Sequence, residues 1–209
     1  MAQLYFRYST MNAGKSTEIL KIAHNYEEQN KHVLLFTPSI DDRCGRGQIT
    51  SRMGLRREAV IIDDHTDMLE LAREAKPDCV LVDEGQFLTR DQVVVLTRIV
   101  DQLNIPVIVY GLKNDYRNRL FSGSEALLLF ADKIEEVKAV CWFCPKKATM
   151  LLKFKDGQPV GDGPQIEIGG NDKYISVCRK CYGKKLEIKW DSRRCPIVCP
   201  PHQSAFDCY

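Results

Sequence analysis

The chain has 209 residues, with 30 Lys and Arg against 28 Asp and Glu, and 44% of it is hydrophobic. That balance suits one globular domain with a small appendage, and it excludes a disordered chain or a bulk polycation for nucleic acid. No apolar run approaches the roughly 20 residues of a membrane helix, and the N-terminus lacks a basic segment followed by an apolar core, so a cytoplasmic protein with no membrane partner is expected. Leu4 to Tyr8 reads as a buried strand, and Ser9 to Lys15 as a small polar turn. A helix starts at Ser16, with Ile19, Leu20, Ile22, Ala23 and Tyr26 at three- and four-residue spacing. Val33 to Phe36 is a second strand, Pro38 to Gly54 a polar loop, and Val60 to Ile62 a third strand. Thr66 is placed to cap a helix running to Ala75. Cys79 to Val82 is a strand leading into Asp83-Glu84-Gly85-Gln86-Phe87. Asp91 to Leu103 is helical, Ile105 to Tyr110 a strand, Leu112 to Phe121 a loop, Ser122 to Ala131 a helix, and Ile134 to Val140 a last strand.

Strands alternate with helices, and most strands are continuously apolar. This is the pattern of a parallel sheet covered on both faces, an α/β fold. The character changes at Cys141. Residues 138–194 carry a local charge of +7 and the rest of the chain −5. Gly157 to Gly170 holds five glycines and two prolines, too many for regular elements, and reads as a long excursion. Residues 1–138 therefore read as one domain, 139–190 as a second, and 191–209 as a flexible tail.

The segment Ser9-Thr10-Met11-Asn12-Ala13-Gly14-Lys15-Ser16-Thr17 matches the phosphate-binding pattern G-x-x-x-x-G-K-[ST], with Ser9 in place of the first glycine. A strand precedes it and a helix follows. Backbone N–H groups and the positive helix end would hold triphosphate oxygens. Lys15 would neutralise phosphate charge, and the Ser16 hydroxyl would bind Mg²⁺. Serine fits the first position if its φ is not strongly positive. The plainer alternative is a helix start with a chance Gly-Lys-Ser. Val80 to Val82 then ends in Asp83, which would hold the Mg²⁺ shell, and Glu84, placed to take a proton from an attacking oxygen. A solvated acidic turn is the alternative there, but two motifs in the right order and context favour the nucleotide site.

Seven of nine cysteines fall at or after Cys141. Cys141-Trp142-Phe143-Cys144 and Cys178-Arg179-Lys180-Cys181 form two C-x₂-C knuckles, the ligand set of a structural Zn²⁺ site with no open position. A redox pair is the competing reading. Cys195, Cys199, His202 and Cys208 in the tail offer a weaker second set, more simply read as free side chains.

These residues together, with Asp41-Asp42-Arg43 and with Ile168-Gly169-Gly170-Asn171-Asp172-Lys173-Tyr174 between the cysteine pairs, resemble the type II, zinc-containing thymidine kinases, on the bacterial-like branch. The resemblance covers about residues 1 to 185. It implies a P-loop, RecA-like sheet in a kinase domain over 1–138 and a small zinc-ribbon or lasso domain over 139–190. It implies ATP with Mg²⁺ as phosphate donor and thymidine, with deoxyuridine, as acceptor. It makes Glu84 the general base and the segment from Ser9 to Thr17, with Lys15, the phosphate cradle. Gly85 and Gln86 fall in the matching active-site turn, and Arg43 near the transferred phosphate. Met11, Asp41, Phe87, Leu112, Tyr116 and Phe121 match the nucleoside site. Ile166, Glu167, Ile168 and Gly169 fall in the lasso over the base, and Tyr174 at the sugar. Tyr116 stands where vertebrate members carry phenylalanine, and Glu167 where many have a β-branched residue. A homotetramer and feedback inhibition by thymidine triphosphate are also implied.

Two other readings stay open from the residues alone. A P-loop ATPase would use Glu84 to polarise water. A zinc module for nucleic acid would use the local +7, but aromatics are not interleaved with the basic residues as a single-strand platform requires, so no nucleic-acid partner is expected.

Overall fold

Strands and amphipathic helices alternate through the first two-thirds of the chain, and six of the strands pack into one sheet. The structure is a computed structural model that describes residues 1–40, 47–51, 53–165 and 174–188. In chain order it runs β1 (Leu4–Ser9), α1 (Lys15–Glu27), β2 (Val33–Pro38), β3 (Gln48–Thr50), β4 (Arg56–Glu58), β5 (Val60–Ile62), α2 (Met68–Ala75) and β6 (Cys79–Val82). A 3₁₀ turn (Gly85–Phe87) follows, then α3 (Arg90–Leu103), β7 (Val107–Leu112), α4 (Ser122–Phe130) and β8 (Lys133–Glu136). The six-stranded sheet has the order β5-β2-β6-β7-β1-β8, and every pairing in it is parallel.

Side-chain alternation divides the core in two, because successive strand residues face opposite sides. Phe6, Val80, Val82, Val107 and Val109 meet Leu69 of α2, Leu96 and Ile99 of α3 and Leu127 of α4. Leu81, Ile108 and Tyr110 face the other way, onto Ile19, Leu20 and Ala23 of α1 and Ile49 of β3. The expected α/β fold, with helices on both faces, is what the chain adopts. Ser9, Asp83 and Leu112 stand at the carboxyl ends of β1, β6 and β7, one edge of the sheet, the edge where open α/β sheets bind ligands.

The remaining described elements are short and antiparallel. β9 (Ala139–Val140) pairs with β10 (Lys147–Ala148). A three-stranded sheet is built from β12 (Gln158–Val160), β11 (Met150–Lys155) and β13 (Tyr174–Val177), with β11 in the middle. α5 (Arg179–Lys185) closes the described chain. No helix among the described residues is long and apolar enough to cross a membrane.

Several local expectations change. The polar loop before Gly54 contains β3, which pairs with β4 as a hairpin. Asp67, not Thr66, caps α2 by accepting from the Glu70 N–H at 3.0 Å. Thr66 Oγ1 instead serves the preceding turn, donating to Ile61 O and Asp63 Oδ1. The run from Ile134 to Val140 is broken into β8 and β9. The glycine-rich excursion opens with β12, because Asp156 and Gly157, both at positive φ, turn the chain back onto β11.

Candidate active site and metal centre

The turn after β1 takes its shape from Asn12 and Gly14, whose φ values are 63° and 87°. Ser9 is not among the positive-φ residues. It closes β1 in register with Leu112, which explains why serine is tolerated there. Gly14 precedes α1 without a side-chain cap, and a Cβ built on it meets nothing within 4 Å. The first N–H groups of α1 therefore carry no cap from that side chain, an arrangement suited to an anion. Lys15 is 8% exposed; its Nζ donates to Ser9 Oγ at 3.1 Å and to Thr10 O at 3.2 Å. Ala13 lies within the turn, and Thr17 in the first turn of α1. Thr10 Oγ1 is buried with no hydrogen-bond partner, an orphan acceptor and donor in the middle of the cradle. It fits a polar ligand seated there.

Asp83 is buried at the end of β6. Its Oδ2 accepts from Ser16 Oγ at 3.2 Å and its Oδ1 from the Glu84 N–H at 2.9 Å. Burial, then the adjacent Glu84 charge, pushes its carboxyl up to about 7, against the pull of the Glu84 N–H, Lys15 and Ser16. A paired serine hydroxyl and carboxylate beside a phosphate cradle is a donor set suited to Mg²⁺. Glu84 is half-buried at φ 49°, a left-handed conformation rare for a side chain with a Cβ. Gln86 Nε2 donates to Glu84 Oε2 at 2.5 Å, and Gln86 Oε1 accepts from the Leu112 N–H at 2.9 Å. Gly85 lies flat against β7: a Cβ there would stand 2.2 Å from Val109 Cγ1.

Met11, Phe87, Leu112, Tyr116, Phe121 and Tyr174 come together in one apolar cluster, completed by Leu151 of β11. Phe87 and Phe121 pack edge to face, centroids 5.9 Å apart, and Tyr116 and Tyr174 are tilted at the same separation. This cluster sits between the sheet edge and the three-stranded sheet, so the small sheet roofs it. Ser176 Oγ ties the roof to the phosphate turn by donating to Met11 O at 2.5 Å. Tyr182 Oη donates to Tyr116 O at 2.7 Å. Burial, then the Asp115 charge, pushes Tyr182 up to about 12, which keeps that hydroxyl a donor.

The sulfurs of Cys141, Cys144, Cys178 and Cys181 lie within 4.8 Å of one another. Cys144 is 3.6 Å from Cys178 and 3.7 Å from Cys181. Tetrahedral Zn–S bonds of about 2.3 Å place sulfurs about 3.8 Å apart, whereas a disulfide needs about 2.05 Å. The four sulfurs are close enough to share one metal ion, and the cluster is compatible with a zinc site. Burial raises the Cys141 thiol, but the Cys178 and Phe143 N–H groups, with bonds from Cys144 and Cys181, hold it at about 7.

Asp41, Arg43, Ile166, Glu167, Ile168, Gly169 and the tail cysteines Cys195, Cys199 and Cys208 lie outside the described residues. Sequence reasoning missed Leu151, Ser176 and Tyr182. The run Met150 to Phe154 was a legible strand, but it lay in a stretch read only for its cysteines.

A family model described as "Thymidine kinase" matches residues 2–182. A thymidine kinase of Listeria monocytogenes serotype 4b is 61% identical over 87% of this chain and 97% of its own length. That of Lactococcus lactis subsp. lactis is 58% identical over 88% of this chain and 98% of its own. That of Lactiplantibacillus plantarum is 57% identical over 87% and 96%.

Proposed function

The chain belongs to the thymidine kinase family, and on that premise we propose that it transfers the γ-phosphate of ATP to the 5′-hydroxyl of thymidine, and of deoxyuridine. The product is the nucleoside 5′-monophosphate, and the setting is cytoplasmic pyrimidine deoxynucleotide salvage. The turn from Ser9 to Thr17 binds the phosphates, with the α1 N–H groups and Lys15 facing the charge and Thr10 Oγ1 gaining a partner. Ser16 and Asp83 hold Mg²⁺, which when bound neutralises charge between the phosphate oxygens. Glu84 accepts the proton of the 5′-hydroxyl, a transfer that requires only hydrogen-bond reach. Gln86 orients that carboxylate. Met11, Phe87, Leu112, Tyr116, Phe121 and Tyr174, with Asp41 and the residues from Ile166 to Gly169, hold the nucleoside. Arg43 offsets charge that develops on the transferred phosphate. Residues 139–190 act as the lid domain over the kinase domain of residues 1–138. Four thiolates from Cys141, Cys144, Cys178 and Cys181 hold Zn²⁺ as a structural ion with no open coordination position.

One observation supports a nucleoside acceptor over water. The Gln86 amide spans from the Glu84 carboxylate to the Leu112 N–H, and Leu112 is part of the roofed aromatic cluster. The proposed base is thus keyed to an apolar acceptor pocket, and excluding water from such a site suppresses hydrolysis. The test is ADP formation from Mg²⁺-ATP with and without thymidine, beside a Glu84→Gln preparation. ADP that requires thymidine and collapses in the variant supports the reading. ADP independent of nucleoside would make the protein a hydrolytic ATPase. A homotetramer and feedback inhibition by thymidine triphosphate complete the proposal, on the strength of the resemblance. Monomers in light scattering across the micromolar range, or activity indifferent to the triphosphate, would remove these.

A further inference from the structure

We propose that Lys153 is a positioning residue: its buried ammonium clamps the ring of Tyr116 and thereby holds Tyr116 and residues 163–165 at the wall of the nucleoside pocket. The inference rests on the acceptor site proposed above. Lys153 lies on β11, the central strand of the roof, opposite Val160 on one side and Tyr174 on the other. Leu151 and Lys153 are two residues apart, so they share a face of that strand. Leu151 packs into the aromatic cluster, and Lys153 follows it onto the same wall. Its side chain is 5% exposed, and its Nζ stands 4.8 Å from the Tyr116 ring centroid. An ammonium withdrawn from water is stabilised over the negative face of an aromatic ring, more so when the pair is desolvated. Arg117 also approaches this ring, but at 5.9 Å, and it is drawn toward Asp115 at 3.5 Å.

The clamped ring in turn holds the backbone beyond β12. Tyr116 Oη donates to Pro164 O at 3.1 Å, and Gln165 Nε2 donates to Leu120 O at 3.1 Å. Gly163, at φ 131°, passes close over both partners: a Cβ there would lie 2.8 Å from Tyr116 Oη and 3.5 Å from Lys153 Nζ. A groove lined by Trp142, Phe154, Asp162, Gly163, Pro164 and Lys153 itself runs beside this strip. Lys153 thus bridges the groove and the Tyr116 ring, and the hydroxyl of that ring holds the strip through Pro164 O.

The test compares Lys153→Met, which keeps the length without the charge, with Lys153→Arg, which keeps a cation able to stack on the ring. Amide hydrogen exchange of residues 161–165 in ligand-free protein should quicken about tenfold in Lys153→Met, the scale of one desolvated cation–π contact, and return toward wild type in Lys153→Arg. The thymidine KM should rise by about the same factor, with kcat and the ATP KM within about twofold. Zinc content serves as the folding control. If Lys153→Met does not retain zinc, Lys153→Gln carries the same expectations. Unchanged exchange in the neutral variants, or an arginine variant no better than methionine, overturns the clamp. Wild-type protein that forms ADP without thymidine would instead remove the acceptor reading, while the exchange rates still decide the clamp.

Discussion

Gln86 holds Glu84 with one end of its amide and Leu112 with the other, at 2.5 and 2.9 Å. The side chain is 1% exposed, so neither bond is shared with bulk water. Gln86→Leu would keep the volume and leave the Leu112 N–H buried without an acceptor. The expected cost is about 1–3 kcal/mol in urea unfolding. Turnover should fall further than thymidine affinity does, because the carboxylate loses its orientation while the apolar cluster survives.

Glu84→Gln removes the proposed proton acceptor and leaves the turn nearly isosteric. A fall in kcat of about 10²–10⁴-fold is expected, with thymidine binding by calorimetry close to wild type. A variant that turns over at the wild-type rate would exclude Glu84 as the base.

Asp83 sets a pH dependence whose sign follows from its raised affinity for a proton. Its ordinary value is 3.8 and its folded value about 7. The group therefore stabilises the ligand-free fold below its ordinary value, and that contribution is lost as pH climbs through about 7. Asp83→Asn should melt at a higher temperature than wild type at alkaline pH without ligand. On the proposed Mg²⁺ role, Mg²⁺-ATP should raise the melting temperature of the wild type and not that of the variant. If Asp83 holds Mg²⁺ as proposed, metal and proton compete for it, so the Mg²⁺ concentration needed for half-maximal activity should rise as pH falls below about 7.

The four sulfurs anchor more than themselves. α5 begins directly after Cys178 and carries Cys181 and Tyr182, and Tyr182 Oη reaches Tyr116 O. Cys181→Ser should bring zinc content well below one per chain and lower the melting temperature. The thymidine KM should rise by about tenfold or more, a scale seen when metal-site supports are lost, with a smaller change for ATP. Equal losses for both substrates would show that the metal supports the whole fold and not the roof.

Gly123 offers a purely steric test. A Cβ there would lie 2.4 Å from Gly85 O, 2.7 Å from Leu88 O and 2.9 Å from Gln86 O. All three are backbone atoms of the turn that follows Glu84, so α4 can start where it does only with glycine at this point. Gly123→Ala should cost about 1–3 kcal/mol by overpacking. It should also reduce kcat by moving the turn, an effect read by comparing melting and turnover on the same preparation.

The parallel sheet was legible because its strands are buried on both faces and therefore continuously apolar: Val80, Leu81 and Val82 are all fully buried. The phosphate turn, the Asp83-Glu84 pair and the cysteine knuckles were legible because their chemistry demands fixed spacings. The β3–β4 hairpin was not, since Arg56, Arg57 and Glu58 are exposed and carry no apolar alternation. The α2 cap shifted because Thr66 and Asp67 are both good caps, and Thr66 is taken by Asp63 and Ile61. Thr89 and Gln92 form a full capping box on α3, and their three-residue spacing is itself visible in the sequence. The contact of Lys153 with the Tyr116 ring was not visible in sequence, because the ring lies 37 positions away.

β1 lies between β7 and β8, paired with Leu112 at one flank and with Glu136 at the other. The first strand of the chain is thus completed by two of the last strands of the sheet. On the ribosome, where synthesis runs at roughly 5–20 residues per second, it waits several seconds for both neighbours. The turn from Ser9 to Thr17 hangs from the end of β1, so a nascent chain cut short before Val107 has every residue of that turn and neither strand that flanks β1. The turn is therefore held in place only after β7 and β8 have been made, although its own residues precede both in the chain.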